Sequence, residues 1–454
     1  FSISIAALQA QWQTYVPDLP DVVSVYDLRI APENEEVAWE IAMKYQVTAN
    51  NWSWVAMDSL VFVKTSDGGQ TWQGGSIPMG QEPYASSICG LSTDTAWASG
   101  LDVNFANYVM HTTDGGQTWL RQLEDGFLAS SSYVDFVHFW DAQNGIAVGD
   151  PAPSATEPEP FYEIYKTADG GENWTRVSTD SIPPPLQNEY GIGGVYSIVG
   201  DTIWFSTLDF TTNSGKRVYR SVNRGASWTV ADNPAVWLLN FADGQYGVGL
   251  LDQIAVPAKI RLTTDGGITW SDLPPLNTGF GAVSSLAIIP QSHYLLAVGR
   301  SNLLTGPFIT AISKDLGQSW MQIGDDAEHA GAAVFRSPAI GYAGEYLTSG
   351  HPTRMYKYAG DPLSGILSGK FLHAEISTFP NPASDFISVN VQTAQPAEIL
   401  LLLNDASGRL VQREVFSKTT DLSHVLDLRQ LAAGIFTLTI STKDGSVARQ
   451  VVKQ

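Results

Sequence analysis

The sequence predicts an all-β protein: a seven-bladed β-propeller over residues 11–362, a connection over 363–374, and a small β-sandwich over 375–454. Three observations carry this prediction. An eight-residue box of the form Ser/Thr-x-Asp-Gly-Gly-x-Thr-Trp recurs six times, short strands of small and apolar residues recur seven times, and the last eighty residues abandon both patterns for long alternating strands.

The boxes are "TSDGGQTW" (65–72), "TTDGGQTW" (112–119), "TADGGENW" (167–174), "SVNRGASW" (221–228), "TTDGGITW" (263–270) and "SKDLGQSW" (313–320). Their tryptophans, Trp72, Trp119, Trp174, Trp228, Trp270 and Trp320, are 42 to 55 residues apart, the period of propeller blades. Each box suits the turn between the third and fourth strand of a blade. Asp67, Asp114, Asp169, Asp265 and Asp315 accept backbone N–H groups, glycine supplies a positive φ, and the Trp packs into the adjoining core. Calcium takes six to eight oxygens, whereas each box has one carboxylate and the fourth has Asn223 instead. The boxes therefore read as structural, with no metal and no cofactor expected.

Between the boxes run "VAWEIA" (37–42), "TAWASG" (95–100), "GIAVGD" (145–150), "TIWFST" (202–207), "YGVGLL" (246–251), "YLLAVG" (294–299) and "IGYAGE" (340–345). The seventh unit ends in "RMYKYAGDP" without a box, so its outermost strand must come from elsewhere. "QWQTYV" (11–16) matches the strands that box tryptophans open and is assigned to it, which closes the ring and removes its open edges. The boxes resemble the Asp-box, or BNR, repeats of sialidases, sortilin-type receptors, xyloglucan hydrolases and the photosystem II assembly factor. That resemblance implies the fold, and its family contains both enzymes and binders.

Residues 379–391, 398–415, 424–441 and 445–454 alternate apolar and polar positions between turn signals, as antiparallel strands do. Their order resembles the C-terminal sorting domain of type IX secretion substrates in the Bacteroidota: a Pro-Asn-Pro start at Pro380, Asn381 and Pro382, a turn ending at Gly408, and the run Leu431, Gly434, Phe436. The resemblance implies contact of residues 375–454 with the type IX machinery and a location outside the cell or on the outer-membrane surface of a Gram-negative bacterium; the alternative is an Ig-like accessory module. Residues 1–10 read as the remnant of a signal peptide.

With 46 acidic against 25 basic residues and a net charge of -21, nucleic acid is not an expected partner. No run is long and apolar enough for a membrane span. The lone Cys89 supports no disulfide, and His138, in "YVDFVHFW", reads as a core residue.

Ligand sites in a propeller belong on the face opposite the boxes, in the loops after the second strands and between blades. There stand Asp102, Asp150, Asp209, Asp252 and Glu345, with Arg300 at the matching place in blade six. These are candidates for a binding rim, or for a glycosidic acid–base pair of Asp150 with Asp102 or Asp209, or are solvated loop carboxylates. Trp52 and Trp54 suit sugar stacking or protein contact, or else pack in an inserted strand. The segments 151–163, near Tyr162, and 181–191 form either a partner surface or rigid decoration. "LRIAP" (28–32) resembles the Arg-Ile-Pro motif of sialidases, but Arg29 and Arg336 are placed in turns facing away from the pocket. The resulting expectation is an exported, non-catalytic binding or scaffold propeller that recognises a glycan or protein, with a glycoside hydrolase or lyase as the alternative.

Overall fold

The computed structural model describes residues 12–17, 23–44, 60–127, 132–152, 160–212, 214–231, 234–251, 257–276, 279–290, 292, 294–301, 308–323, 330–345, 353–359, 374–405, 410–442 and 445–454. They form seven four-stranded antiparallel sheets and one five-stranded sheet. The chain divides into two units, with the boundary between Leu363 and Ser364.

Each four-stranded sheet is a blade. Blade 1, for example, consists of Val23–Ile30, Ala38–Lys44, Leu60–Thr65 and Gln73–Ile77. Its second strand is covered on both faces, and Ala38, Trp39, Ile41 and Ala42 are fully buried. This is why the second strands read as continuous apolar runs instead of alternating ones. Box tryptophans fill the seams between blades: Trp119 of blade 2 packs on Trp39 and Phe62 of blade 1, and Trp72 packs edge-on against Tyr342 of blade 7. An aromatic of this size hides about 150–250 Å², or about 4–6 kcal/mol of transfer free energy.

Blade 7 closes on the N-terminal strand. Trp12–Tyr15 pairs antiparallel with Met355–Tyr358, and Trp12 lies edge-on to Phe335 and Tyr358 at 5.9 and 5.6 Å. It takes the place that a box Trp takes elsewhere.

The first strands surround the axis, where two features escaped the sequence. One is a girdle in which a first-strand side chain accepts a backbone N–H from the next blade. Ile88 donates to Asp27 (3.1 Å), Val137 to Ser87 (2.9 Å), Phe241 to Ser197 (3.0 Å), Ile288 to Asn240 (2.9 Å) and Ala333 to Ser285 (3.3 Å). The other is a set of β-bulges, which re-aim residues out of the ladder. The first strands of blades 1, 2, 3, 6 and 7 carry an extra residue at this level, Tyr26, Ser86, Asp135, Ser284 and Gly331, and blade 7 has a second, Arg336, towards the end of its first strand. In blade 4 the bulge is four residues, Ile192 to Val195, opposite Ser206 alone.

In the C-terminal unit, Phe386–Asp405 is a bent strand whose register breaks between Gln392 and Ala397, around Pro396, which cannot donate to the ladder. Its first half pairs with Ala374–Phe379 and its second with Gly434–Thr442. Ile387, Val389 and Val391 from one half share a core with Ile399, Leu401, Leu403 and Leu438, giving a small sandwich. Asn381 of the Pro-Asn-Pro start accepts the Val452 N–H at 2.9 Å, tying the start of the domain to its last strand.

Candidate functional site

The boxes are closed hydrogen-bond units. In blade 2, Asp114 Oδ1 accepts the Thr118 N–H and the Thr112 hydroxyl, both at 2.9 Å, while Oδ2 accepts the Thr118 hydroxyl at 2.6 Å. The Gly115 N–H donates to the carbonyl of Asp94, in the turn between the first two strands of the same blade. The Thr118 hydroxyl and N–H hold the Asp114 carboxyl down at about 2, and the Asn173 N–H and side chain do the same for Asp169. Blade 4 explains how Asn223 substitutes. Its Oδ1 accepts from Ser221 and from the Ser227 N–H, and its Nδ2 donates to the Ser227 hydroxyl at 2.9 Å, reversing one bond and keeping the turn.

On the opposite face, the predicted rim carboxylates do similar work. Asp102 Oδ1 accepts the N–H groups of Asn104 (2.9 Å) and Ala106 (3.0 Å). Asp209 accepts the N–H and hydroxyl of Thr211 and pairs with Lys216 at 3.0 Å, bonds that hold its carboxyl well below the ordinary range. Glu345 is buried and accepts the Arg354 N–H at 2.8 Å. Tyr162, expected among the ligand contacts, is fully buried instead, edge-on to Phe205 and Tyr219 in the seam of blades 3 and 4. Trp52, Trp54 and Asp252 lie outside the described residues.

Asp150 departs from this pattern. It is buried, accepts the Gly191 N–H at 2.8 Å and neighbours Asp135, also buried. Burial pushes its carboxyl up to about 7, against the lowering effect of that N–H bond.

A cavity of about 490 Å³ occupies the axis, lined by first strands of blades 1 and 4 to 7. Arg300 lines it; Asp102, Asp150, Asp209 and Glu345 do not. The expected pocket rimmed by these carboxylates is therefore not what surrounds the axial cavity. Arg29 requires a correction: it lies within strand Val23–Ile30 and lines the cavity, because that strand extends past the position assigned to the turn. Its guanidinium is committed to Asp27 (2.8 Å) and to the carbonyls of Gly194 (3.0 Å) and Tyr196 (3.4 Å), and lies 3.9 Å from the centre of the Tyr196 ring. The blade 4 bulge thus straps across the axis to blade 1, with a further bond from the Tyr26 hydroxyl to the Gly193 carbonyl.

What the loop face does expose is aromatic. Phe105 is 57% exposed at the tip of the turn that Asp102 caps, with φ of 63°, and leans on Tyr133. Positive φ is disfavoured for a bulky residue, and the two N–H bonds to Asp102 hold it there. Phe210 is 74% exposed beside Asp209 and packs on Tyr190. Its N–H donates to the Asn188 carbonyl, within the Pro-rich loop whose Leu186 is also exposed. That loop is anchored from below by Arg217, which binds Glu189 at 2.6 Å and the Pro184 carbonyl at 2.7 Å. The sequence had marked Asp102 and Asp209, one to three residues away from the groups that face solvent.

Cys89 and His138 approach to 3.6 Å, the spacing of a nucleophile and its base. Burial raises the thiol to about 11 and lowers the imidazole to about 3, so both are neutral. This pair packs; it does not form a reactive thiolate.

The family model for the secretion system C-terminal sorting domain matches residues 377–454. This is a BNR-type propeller with a type IX sorting domain. The sorting domain marks the chain for export to the cell surface or the medium, and no helix among the described residues is long and apolar enough to cross a membrane. The BNR propeller is similar to the photosystem II assembly lipoprotein Ycf48 of Synechococcus sp. (strain CC9902), at 27% identity over 261 residues, 57% of this chain and 67% of that protein. It is also similar to a probable oligoxyloglucan-reducing end-specific xyloglucanase of Neosartorya fischeri, at 26% identity over 180 residues, 37% of this chain and 19% of that protein. The solved structure of YCF48 bound to D1 peptide superposes with a TM-score of 0.51 at 18% identity, covering 79% of this chain and 100% of that one. At that identity the likeness is one of fold.

Proposed function

We propose that this exported propeller is a non-catalytic binder that holds a protein or peptide through the aromatic turns of its loop face. The observation that carries the reading is Phe105, kept solvent-exposed in a strained backbone conformation by a buried carboxylate. Its ring touches Tyr133 but lies mostly in solvent, and rigid exposed aromatics supply contact area at low entropic cost. Phe210, 74% exposed beside the turn-capping Asp209 of blade 4, is a second outward aromatic on the same face. A propeller of the same fold solved with a peptide bound supports a peptide over a sugar.

The hydrolase reading draws on Asp150, whose raised pKa suits a general acid. Against it stand the burial of Asp150 and the commitment of Asp102 and Asp209 to turn capping.

The test is to incubate the full chain with peptide and glycan arrays and to record retention and cleavage separately. Peptide retention without turnover, lost in Phe105→Ala and Phe210→Ala at unchanged melting temperature, is the expected result. Glycan cleavage abolished by Asp150→Asn would overturn the proposal.

A further inference from the structure

The loop face around Phe105 is apolar at its centre and acidic at its edge, and we propose that the peptide segment it takes is cationic, with Lys or Arg set among apolar side chains. This names the partner chemistry for the binding surface described above and rests on that reading. Phe105 does not stand alone. Tyr84 and Val103 are 41% and 40% exposed. Val103 shares the turn of Phe105, and Tyr84 opens the first strand of blade 2 opposite Leu101, the residue before Asp102.

Three connections are knitted into this surface. The Val103 N–H donates to the Gln81 carbonyl at 2.9 Å, joining the turn 102–106 to residues 78–83. Gly80 lies so close that a β-carbon there would stand 2.6 Å from Asp102 Oδ2. On the other side the Phe105 ring meets Tyr133 at 5.6 Å, and the buried Asn107 amide donates to the carbonyls of Phe127 (3.0 Å) and Ser132 (2.7 Å), which ties in the connection 123–133. A surface held in this way loses little freedom when a partner docks, so its apolar contact is realised as affinity.

Charge decides what can dock. Glu82 stands in the first of the flanking connections and Glu124 and Asp125 in the other, all three exposed, and the segments 78–83, 102–106 and 123–133 contain no Lys, Arg or His. The nearby Arg121 is engaged: its guanidinium donates to the Asn107 carbonyl at 2.7 Å and lies 4.2 Å from the centre of the Tyr108 ring. With a net charge of -21 on the whole chain, a cationic segment is steered to the protein, and the rim acids pair with it where the apolar centre holds it. A Lys or Arg over the exposed Phe105 ring adds a cation–π contact. An acidic segment meets like charge on both sides of the patch and is rejected.

Fluorescence anisotropy with the full chain at about 0.15 M salt tests this, using a labelled peptide of alternating Arg and Leu and its Gln–Leu and Glu–Leu counterparts. The Arg–Leu peptide should bind at least about tenfold more tightly than the Gln–Leu peptide, the Glu–Leu peptide should not bind, and Phe105→Ala should abolish binding. Reversing two rim acids together, Glu82→Lys with Glu124→Lys, should weaken the Arg–Leu peptide at least about tenfold, whereas Glu33→Lys with Glu35→Lys, exposed on the box face, should change it less than about twofold. Equal affinity for the Arg–Leu and Gln–Leu peptides, lost in Phe105→Ala, would overturn the cationic assignment and leave the binding face standing. A box-face reversal as damaging as the rim reversal would overturn it as well, since the attraction would then belong to the whole acidic surface. Binding of no peptide through Phe105 would contradict both the assignment and the function it rests on.

Discussion

On the box face, Asp265 gathers two N–H groups and two hydroxyls into a tight turn, and the Trp270 that follows packs edge-on against Phe241. On the loop face, Asp102 gathers two N–H groups into a tight turn, and the Phe105 it holds points into solvent. The same device serves stability on one face and presentation on the other. Aspartate therefore marks turns throughout this propeller, and it is the direction of the neighbouring aromatic, inward at Trp119 and outward at Phe105 and Phe210, that separates architecture from binding surface.

The comparison can be broken most forcefully at the seams. Trp119→Ala should cost about 3–5 kcal/mol, read from urea unfolding, because the ring fills the space between Trp39 and Phe62. Phe105→Ala and Phe210→Ala should invert that result: stability changes within about 0.5 kcal/mol, but a loss of about 2 kcal/mol in partner affinity, read by calorimetry. Phe105→Gly sharpens the point further. It relieves the positive φ, so the melting temperature should stay level or rise while binding is lost. A fall in both would make Phe105 a packing residue.

At the boxes themselves, Asp265→Ala should cost about 1 kcal/mol and Asp265→Asn only a few tenths, since Asn223 already does this work in blade 4. The last effect is one of pH and concerns Glu40, fully buried with neither oxygen hydrogen-bonded. Burial, and next the charge of Asp27, raise its pKa well above the ordinary range. The native state therefore binds more protons than the unfolded chain between the two values, and stability falls as pH rises through that window. Glu40→Gln should flatten this part of the profile of melting temperature against pH.

The fold was legible because its signals are local and repeated. Each box carries its own turn chemistry and its own seam Trp, and the missing seventh box pointed to Trp12, since a ring with an open edge is not stable. The site was legible only in part. Asp102 and Asp209 were found as residues, but sequence spacing cannot distinguish a carboxylate aimed at a ligand from one folded back on its own N–H groups. Arg29 was assigned to a turn because strand length is poorly marked at its ends. The strap was missed because it pairs residues more than 160 positions apart; its visible trace was the run Gly191, Gly193, Gly194, where the chain must pass between acids and across the axis. Phe105 has a signal of its own in the sequence, an aromatic directly after the Asp-x-Asn run of Asp102, Val103 and Asn104.

Photo-crosslinking compares the two faces directly. A benzophenone amino acid would replace Phe105, Phe210 or, as the box-face control, the exposed Ile268, and each full-length variant would be illuminated on the secreting cell. The account predicts the same discrete adduct from positions 105 and 210 and none from 268. An adduct from 268 alone, or equal labelling from all three, would contradict the assignment of binding to the loop face.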